Sequence, residues 1–173
     1  RYNYSVNFLM RRKRPKALLH LQIKESRNFV ELTSHVSHKK KRKHIVKILG
    51  IEHIGIATES IANASPFWKM VLGLDHVHSE TIKREGVVTE IFEAGNGSIE
   101  LLEPFDENSS VSKFLKKKGK GVHHICFQVD DINGAIKKLK RSNVRLVNKA
   151  PIKGAQGHWI IFIHPESTGG VLV

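Results

Sequence analysis

The sequence predicts an α+β fold made of two tandem βαβββ modules that form one curved, mixed and mostly antiparallel sheet. The first observation is an internal repeat, because residues 50–56 (GIEHIGI) match residues 121–127 (GVHHICF) at an offset of 71. The same offset matches Ile61 with Ile132. The second observation is that each copy opens with strand-like alternation of apolar residues and continues with helical spacing. A register kept through a strand and a helix indicates a duplicated module.

The strands that open the two modules each combine an apolar face with a face suited to a cleft. Alternation sets His53 opposite Ile54 in the first strand and His124 opposite Ile125 in the second. The apolar face should pack on a helix, whereas histidine beside small or polar residues suits an open cleft. The repeat also chooses between two adjacent histidines, because His124 is the counterpart of His53. His123 falls on the helix-packed face.

A helix should follow each opening strand. In the second module Asp131 is a good N-cap, the apolar residues after it recur at helical spacing, and Asn143 can end the helix. In the first module the helical pattern over residues 60–72 contains Pro66, which in a helix interior would cost about 3 kcal/mol. We therefore expect the regular helix there to begin late, with Ser65 as N-cap and Pro66 in its first position.

The remaining strands and the connection between the modules follow from shorter patterns. A Gly-Asn-Gly turn at residues 95–97 separates two strand-like segments, as a hairpin requires. A helix over about residues 111–118, ended by Gly119, should join the modules. The predicted strands are 87–93 and 98–102 in the first module, and 144–147, 159–163 and 171–173 in the second.

The positive charge is concentrated in the first part of the chain. The formal net charge is +13 over 173 residues, and residues 1–50 hold 14 of the 29 Lys and Arg but only two of the 16 acids. We therefore divide the chain into a basic, disordered tail, residues 1–48, and a nearly neutral domain, residues 49–173. The charge of that domain indicates no nucleic-acid or membrane partner, and no apolar run approaches the roughly 18 residues that span a bilayer.

The composition of the tail suits more than one role. Basic runs at residues 11–14 and 39–43, hydroxyl residues and few acids are typical of an organelle transit peptide. A nuclear-import or polyanion-binding segment has the same composition, and so does a solvated disordered tail. We favour the transit peptide, and Met10 could be the natural start. The single cysteine, Cys126, excludes an intrachain disulfide and indicates a reducing compartment.

A carboxylate shares the predicted cleft face with the two repeated histidines. Glu100 stands between Ile99 and Leu101 on a predicted strand, and alternation turns it to the opposite face from them. A charged side chain in a strand interior is unfavourable unless something pairs with it, and a divalent cation would do so. His53, His124 and Glu100 on separate strands therefore predict an open metal site in a cleft, for zinc, cobalt, manganese or iron. The other histidines lack this symmetry.

Four motifs in this order resemble the methylmalonyl-CoA epimerases of the vicinal-oxygen-chelate, or glyoxalase/dioxygenase, superfamily. They read IEHIGIA at 51–57, GSIELLEP at 97–104, VHHI at 122–125 with VDDI at 129–132, and HP at 164–165 followed by GGVLV at 169–173. The resemblance implies interconversion of (2R)- and (2S)-methylmalonyl-CoA by proton transfer alpha to the thioester, through a metal-stabilised enolate. It also implies a cobalt or manganese ion, an acyl-CoA substrate and a homodimer. The expected location is the mitochondrial matrix in a eukaryote and the cytoplasm in a bacterium.

The resemblance also implies which residues hold the metal. Three ligands fall on His53, Glu100 and His124. The fourth ligand, which is also an acid/base group, is a glutamate directly after the Gly-Gly-Val-Leu-Val motif, and this motif ends at Val173. We therefore expect the domain to be truncated in its last strand. Alternatives that stay open are a glyoxalase-type isomerase, an extradiol dioxygenase on the same fold, and a catalytically impaired binding module.

The acid/base groups and the substrate wall are less well defined by the resemblance. A second acid/base position of some relatives falls on Thr89, and Glu90 beside it points to the other face by alternation. We therefore assign no base, and Glu100 is only a weak candidate. Lys153 and Gly154 are expected to form a wall for the acyl group or CoA, with an ordinary glycine turn as the alternative interpretation.

Overall fold

The computed structural model describes residues 46–154 and 157–173, and these form the helices and strands of the fold. In chain order the elements are β1 (Ile48–Ala57), α1 (Ile61–Pro66), β2 (His76–Ile82), β3 (Val87–Glu93), β4 (Ser98–Pro104), α2 (Ser110–Lys118), β5 (Gly121–Val129), α3 (Ile132–Arg141), β6 (Ile152–Lys153) and β7 (Trp159–Ile160). A π-helical segment, Phe67–Val71, follows α1, and a 3-10 turn spans Pro165–Ser167. Within these two ranges, no helix has the length and apolar content needed to cross a membrane.

The predicted basic tail lies almost entirely outside the described residues. Residues 1–45 are not described, and β1 begins at Ile48, at the predicted boundary. The disorder of the tail and the division between residues 1–48 and 49–173 therefore stay predictions.

Five strands form one mixed sheet in the order β2-β3-β4-β1-β5. β1 runs parallel to β4 and antiparallel to β5, and the other neighbouring strands are antiparallel. The predicted α+β fold with a mostly antiparallel sheet is therefore confirmed. Because the opening strands β1 and β5 lie side by side, residues that the repeat relates come together in the middle of the molecule.

The segments after α3 repeat the pairing order of the first module in reduced form. Leu172 bridges His124 in parallel, as β4 pairs with β1. Ile163 and Val173 exchange backbone hydrogen bonds of 2.6 and 3.4 Å, and Leu146 forms an antiparallel bridge to Ile163. Each of these contacts joins a single residue pair, whereas a full strand needs several paired residues in succession. The strands predicted at 144–147, 159–163 and 171–173 are therefore in the expected order but too long.

β2 is a strand that the sequence pattern does not predict. Its residues, HVHSETI, are mostly exposed and are polar on both faces, so they show no apolar alternation. In the described sheet β2 is an edge strand that pairs with β3, and polar residues on an edge discourage pairing with other chains. Backbone hydrogen bonding to β3, rather than burial of side chains, makes this segment a strand.

α1 begins earlier than predicted. Its N-cap is Ser60, whose hydroxyl accepts a hydrogen bond of 3.3 Å from a backbone N–H three residues later, and Pro66 is its last residue. The prediction that Ser65 caps a helix starting at Pro66 is therefore wrong. Pro66 has no N–H with which to continue the helical bonding. The chain widens after it into the π-helical segment, where Leu72 donates to the Phe67 carbonyl at 3.0 Å.

The other two helices begin and end within a residue or two of their predicted limits. Ser109 caps α2, and the helix stops at Gly119, whose φ of 77° lies in the left-handed region. Asp131 caps α3 by accepting a hydrogen bond of 3.0 Å from the Gly134 N–H. Asn143, with a φ of 54°, follows the last turn of α3. These caps are local interactions, which explains why the sequence pattern predicts them.

The apolar core lies on both faces of the sheet. The part between the sheet and α2 consists of Ala57, Val87, Leu102 and Val111. On the other face α1 lies against β3 and β4. Phe92 of β3 and Leu101 of β4 are fully buried. Since Ala57 shares a face of β1 with His53, α2 closes one end of the face that carries the predicted ligands.

Replacement of Phe92 by alanine should destabilise the fold more than the same change at Phe105. Phe92 is fully buried, whereas Phe105 is 55% exposed. Phe92→Ala should lower the free energy of unfolding by about 3–5 kcal/mol, because it leaves a cavity. Phe105→Ala should change it by about 0.5 kcal/mol or less. Urea unfolding measures both, and equal effects would contradict the place of Phe92 in the core.

Candidate metal centre

Three neighbouring strands bring the predicted ligands together around Gly55. Gly55 of β1 pairs with Glu100 of β4 on one side and with His124 of β5 on the other. A Cβ atom at residue 55 would overlap the His124 imidazole, so the lack of a side chain lets that ring lie across β1. His53, two residues earlier on the same face of β1, completes the group.

The three side chains converge on one small space. The Nε2 atoms of His53 and His124 are 2.7 Å apart, and Glu100 Oε2 lies 3.4 Å from the first and 3.6 Å from the second. The two rings meet edge to face, with their centroids 4.9 Å apart. Glu100 is only 5% exposed. The nitrogen and oxygen atoms of this group are close enough together to hold a single ion.

Burial sets the protonation of the group. It raises the pKa of Glu100, although His53 beside it acts in the opposite direction. Burial lowers the pKa of His124 to about 3, and His53 and His123 act in the same direction, so His124 is neutral near pH 7. Burial also acts to lower the pKa of His53, but the hydrogen bond to Glu52 and the charge of Glu100 outweigh it, and that pKa is raised.

This donor set suits a divalent cation. Two imidazole nitrogens and a carboxylate oxygen are ligands that zinc, cobalt, manganese and iron accept. In the described residues the ion-pair partners of Glu100 are the two histidines, of which His124 is neutral. A buried carboxylate with so little positive charge around it is costly. The residues therefore fit a metal ion held by three side chains from three strands.

Cys126 lies beside this group but has a different chemistry. It pairs with His53 across β1 and β5, and with Glu52 the two side chains form a second cluster of potential ligands. Burial, followed by the charges of Glu52 and Glu100, raises the pKa of the Cys126 thiol to about 12. A thiol that stays protonated is a poor metal ligand, so this second cluster is a weaker candidate than the first.

The position expected for a second acid/base group holds a threonine with no base character. Thr89 is fully buried, and its hydroxyl donates to the Glu80 carbonyl at 3.5 Å. Glu90 beside it lines a groove under α1, on the opposite face. Glu80 of β2, however, pairs directly with Thr89, so its side chain faces the cleft. The sequence pattern missed Glu80 because it missed β2.

Lys153 and Gly154 belong to the β6–β7 hairpin, beyond the five-stranded sheet. The Lys153 ammonium donates to the Gly157 carbonyl at 2.8 Å and lies 4.1 Å from the centroid of the Trp159 ring. The Arg84 guanidinium donates to the Lys153 carbonyl, and so joins the hairpin to the turn between β2 and β3. The role of Lys153 and Gly154 as a wall of the substrate site stays a prediction.

Comparison with known proteins defines the class to which the chain belongs. Residues 52–162 match the family model of the Glyoxalase/Bleomycin resistance protein/Dioxygenase superfamily, and the chain belongs to this superfamily. Among its relatives, the uncharacterized protein YqjC of Bacillus subtilis is 42% identical over 71% of this chain and 88% of that protein.

Within the superfamily, several relatives are named as epimerases. The mitochondrial methylmalonyl-CoA epimerase of Dictyostelium discoideum is 38% identical over 91% of this chain and 96% of that protein. A variant of Streptomyces coelicolor methylmalonyl-CoA epimerase, solved in complex with 2-nitronate-propionyl-CoA, is 32% identical, with 73% of this chain and 94% of that chain covered and a TM-score of 0.70. The chain is therefore similar to methylmalonyl-CoA epimerases in both sequence and fold.

Replacement of Gly55 by alanine should disrupt the ligand group. The new methyl would meet the His124 ring and displace it, so cobalt affinity should fall by roughly 10- to 100-fold, as when groups that orient a ligand are disturbed. Gly50→Ala is the matched control on the same strand, because no atom lies within 4 Å of a Cβ at residue 50. Calorimetric titration with cobalt measures both, and equal affinities would contradict the close approach of His124 to Gly55.

Proposed function

We propose that this chain is a metal-dependent epimerase that interconverts the (2R) and (2S) forms of methylmalonyl-CoA. The observation that carries the proposal is the cluster of His53, Glu100 and His124, in a chain similar to proteins named methylmalonyl-CoA epimerases. Cobalt or manganese is the ion expected from the resemblance. An acyl-CoA is the substrate class, as in the complex of the Streptomyces relative.

The chemistry of the substrate explains why such a cluster is useful. The C2–H bond lies between a thioester and a carboxylate, and removing its proton becomes feasible when the negative charge that develops on oxygen is stabilised. A divalent cation supplies that stabilisation when bound, as a Lewis acid. His53, Glu100 and His124 would hold it. Because these side chains stand on paired strands, they need little reorganisation when the substrate arrives.

Inversion at C2 requires two proton-transfer groups, because the proton leaves from one face and returns to the other. The resemblance places one of them in the glutamate expected after Val173. We infer that Glu80 is the other, since it faces the cleft directly across from Thr89. Its Oε2 is buried and, within the described ranges, has no hydrogen-bond partner; His78 Nε2 lies 3.8 Å away.

The β6–β7 hairpin would provide a wall of the acyl-CoA site. Its Lys153 brings an ammonium group that the Gly157 carbonyl and the Trp159 ring hold in place. A fixed cation of this kind suits the phosphates of CoA. Gly154 packs closely on Ile160, since a Cβ there would lie 2.9 Å from the Ile160 Cδ1. The residue after Lys153 therefore has no room for a side chain on the side that faces Ile160.

The mitochondrial matrix is the location that we propose for a eukaryotic source. The Dictyostelium relative is named as mitochondrial, and its alignment of 162 residues is longer than the predicted domain, so it includes part of the basic segment. This supports the interpretation of residues 1–48 as a transit peptide. The homodimer stays an expectation from the resemblance.

The proposed reaction predicts exchange of the C2 proton of methylmalonyl-CoA with solvent. In heavy water the cobalt-loaded protein should incorporate deuterium at C2, and a chelator should abolish the incorporation. Glu100→Ala should also abolish it, whereas Glu107→Ala should not, because the Glu107 side chain is 91% exposed. Mass spectrometry measures the label. The assay should use both the 173-residue chain and the same chain with a glutamate added after Val173. The epimerase would be rejected if neither form exchanged the proton. Oxygen uptake with a catechol in place of exchange would also reject it.

Glu80→Gln should separate proton exchange from inversion. In the form with a glutamate added after Val173, the loss of one of two acid/base groups should slow conversion between epimers by about 10²- to 10⁴-fold, while one epimer still exchanges its C2 proton at the added glutamate. Cobalt affinity should be unchanged, since Glu80 is not one of the proposed ligands. Chiral analysis of the product with deuterium counting measures both steps. Unchanged inversion in Glu80→Gln would show that Glu80 transfers no proton.

A further inference from the structure

Two β-bulges stand immediately before the two proposed histidine ligands. On β1, Ile51 pairs with Phe127 and the next paired residue is His53, which leaves Glu52 as an extra residue. On β5, Gly55 pairs with His124 and Ile56 pairs with Val122, which leaves His123 as the extra residue. Glu52 and His123 are themselves related by the 71-residue repeat. The duplication has therefore produced a bulge at the same place in each module.

A bulge allows two consecutive side chains to reach the same group, which regular alternation forbids. Both bulged residues use this freedom in the same way. Glu52 Oε2 contacts His53 Nδ1 directly, and His123 Nδ1 lies 3.0 Å from His124 Nδ1. In both cases the contact is with the ring nitrogen that faces away from the cluster. The Nε2 atoms stay directed at each other and at Glu100.

Glu52 and His123 differ in chemical type and in the contacts that hold their side chains. Glu52 is an exposed carboxylate, which can only accept hydrogen bonds when it is ionised. His123 is an imidazole, which accepts a hydrogen bond through one ring nitrogen when it is neutral. Its ring is fixed edge to face against Phe114 of α2, with centroids 5.1 Å apart. A charged acceptor holds the N–H of an imidazole more strongly than a neutral one.

We propose that Glu52 and His123 are positioning residues, which keep a hydrogen on Nδ1 of His53 and of His124 and so leave both Nε2 atoms directed into the cluster. An imidazole has one N–H when neutral, and the hydrogen bond at one nitrogen decides which nitrogen can bind a metal. This inference rests on the proposed metal site for its purpose. Its geometry, however, can be tested in the protein without metal.

The first test reads the tautomers directly in the metal-free protein. Nitrogen-15 NMR of the histidine rings should show hydrogen on Nδ1 of both His53 and His124, and a single further hydrogen between their two Nε2 atoms, which are 2.7 Å apart. His123→Phe keeps a ring against Phe114 but removes the acceptor, so His124 should become a mixture of tautomers while His53 is unchanged. Glu52→Ala should give the converse result. Absence of hydrogen from Nδ1 of either histidine in the unmodified protein, or no change in either variant, would overturn the proposal.

The second test measures cobalt affinity by direct titration. His123→Phe and Glu52→Ala should each weaken binding by about 10- to 100-fold, the usual loss when the partner of a ligand is removed. Glu52→Gln should restore part of the affinity, because its amide oxygen still accepts a hydrogen bond. Leu49→Ala is the control, since Leu49 is the extra residue of a third bulge on β1 and is exposed. If the unmodified protein binds no cobalt, the proposed function fails, whereas the tautomer measurement still decides the positioning roles.

Discussion

The pairing of β1 with β4 on one side and with β5 on the other is the constraint on which the site depends. Directly paired residues place their side chains on the same face, so this register sets Glu100 and His124 on either side of Gly55. A shift of one residue would turn either side chain to the opposite face. Apolar residues of the same strands would turn with it, and Leu101, fully buried on the far face, would lose its packing. Core burial and ligand geometry therefore enforce the same register.

The cluster is electrostatically incomplete as an arrangement of protein groups alone. A buried carboxylate and two imidazoles bring little positive charge, because burial keeps His124 neutral. Proteins tolerate such a group where function requires it and where the surrounding structure is rigid. Here three paired strands supply the rigidity, and Gly55 supplies the space for the His124 ring. The same features that make the group unfavourable for stability make it suitable for holding a cation next to a substrate that develops negative charge.

Duplication of the module explains both the symmetry and the asymmetry of the molecule. The two histidines and the two bulges are related by the repeat, and they meet because the opening strands are neighbours. The two modules differ elsewhere. The first has the full strands β2, β3 and β4, whereas the described part of the second has the short strands β6 and β7 and single bridges at Leu146, Ile163 and Leu172. The residues that contact the two histidines also differ, since the Glu52 carboxylate contacts His53 and the His123 imidazole contacts His124.

The sequence by itself determined the duplication, the meeting of His124 with His53, and the presence of Glu100 on the same face. These follow from a repeat and from the alternation of side chains, which are properties of neighbouring residues in the chain. The caps of α2 and α3 were predictable for the same reason. Only the tertiary structure decided that β2 is a strand, that Glu80 faces the cleft, and that bulges bring Glu52 and His123 behind the ligands. Those features depend on which backbone groups pair across strands, and that pairing leaves no pattern among the residues of a single strand.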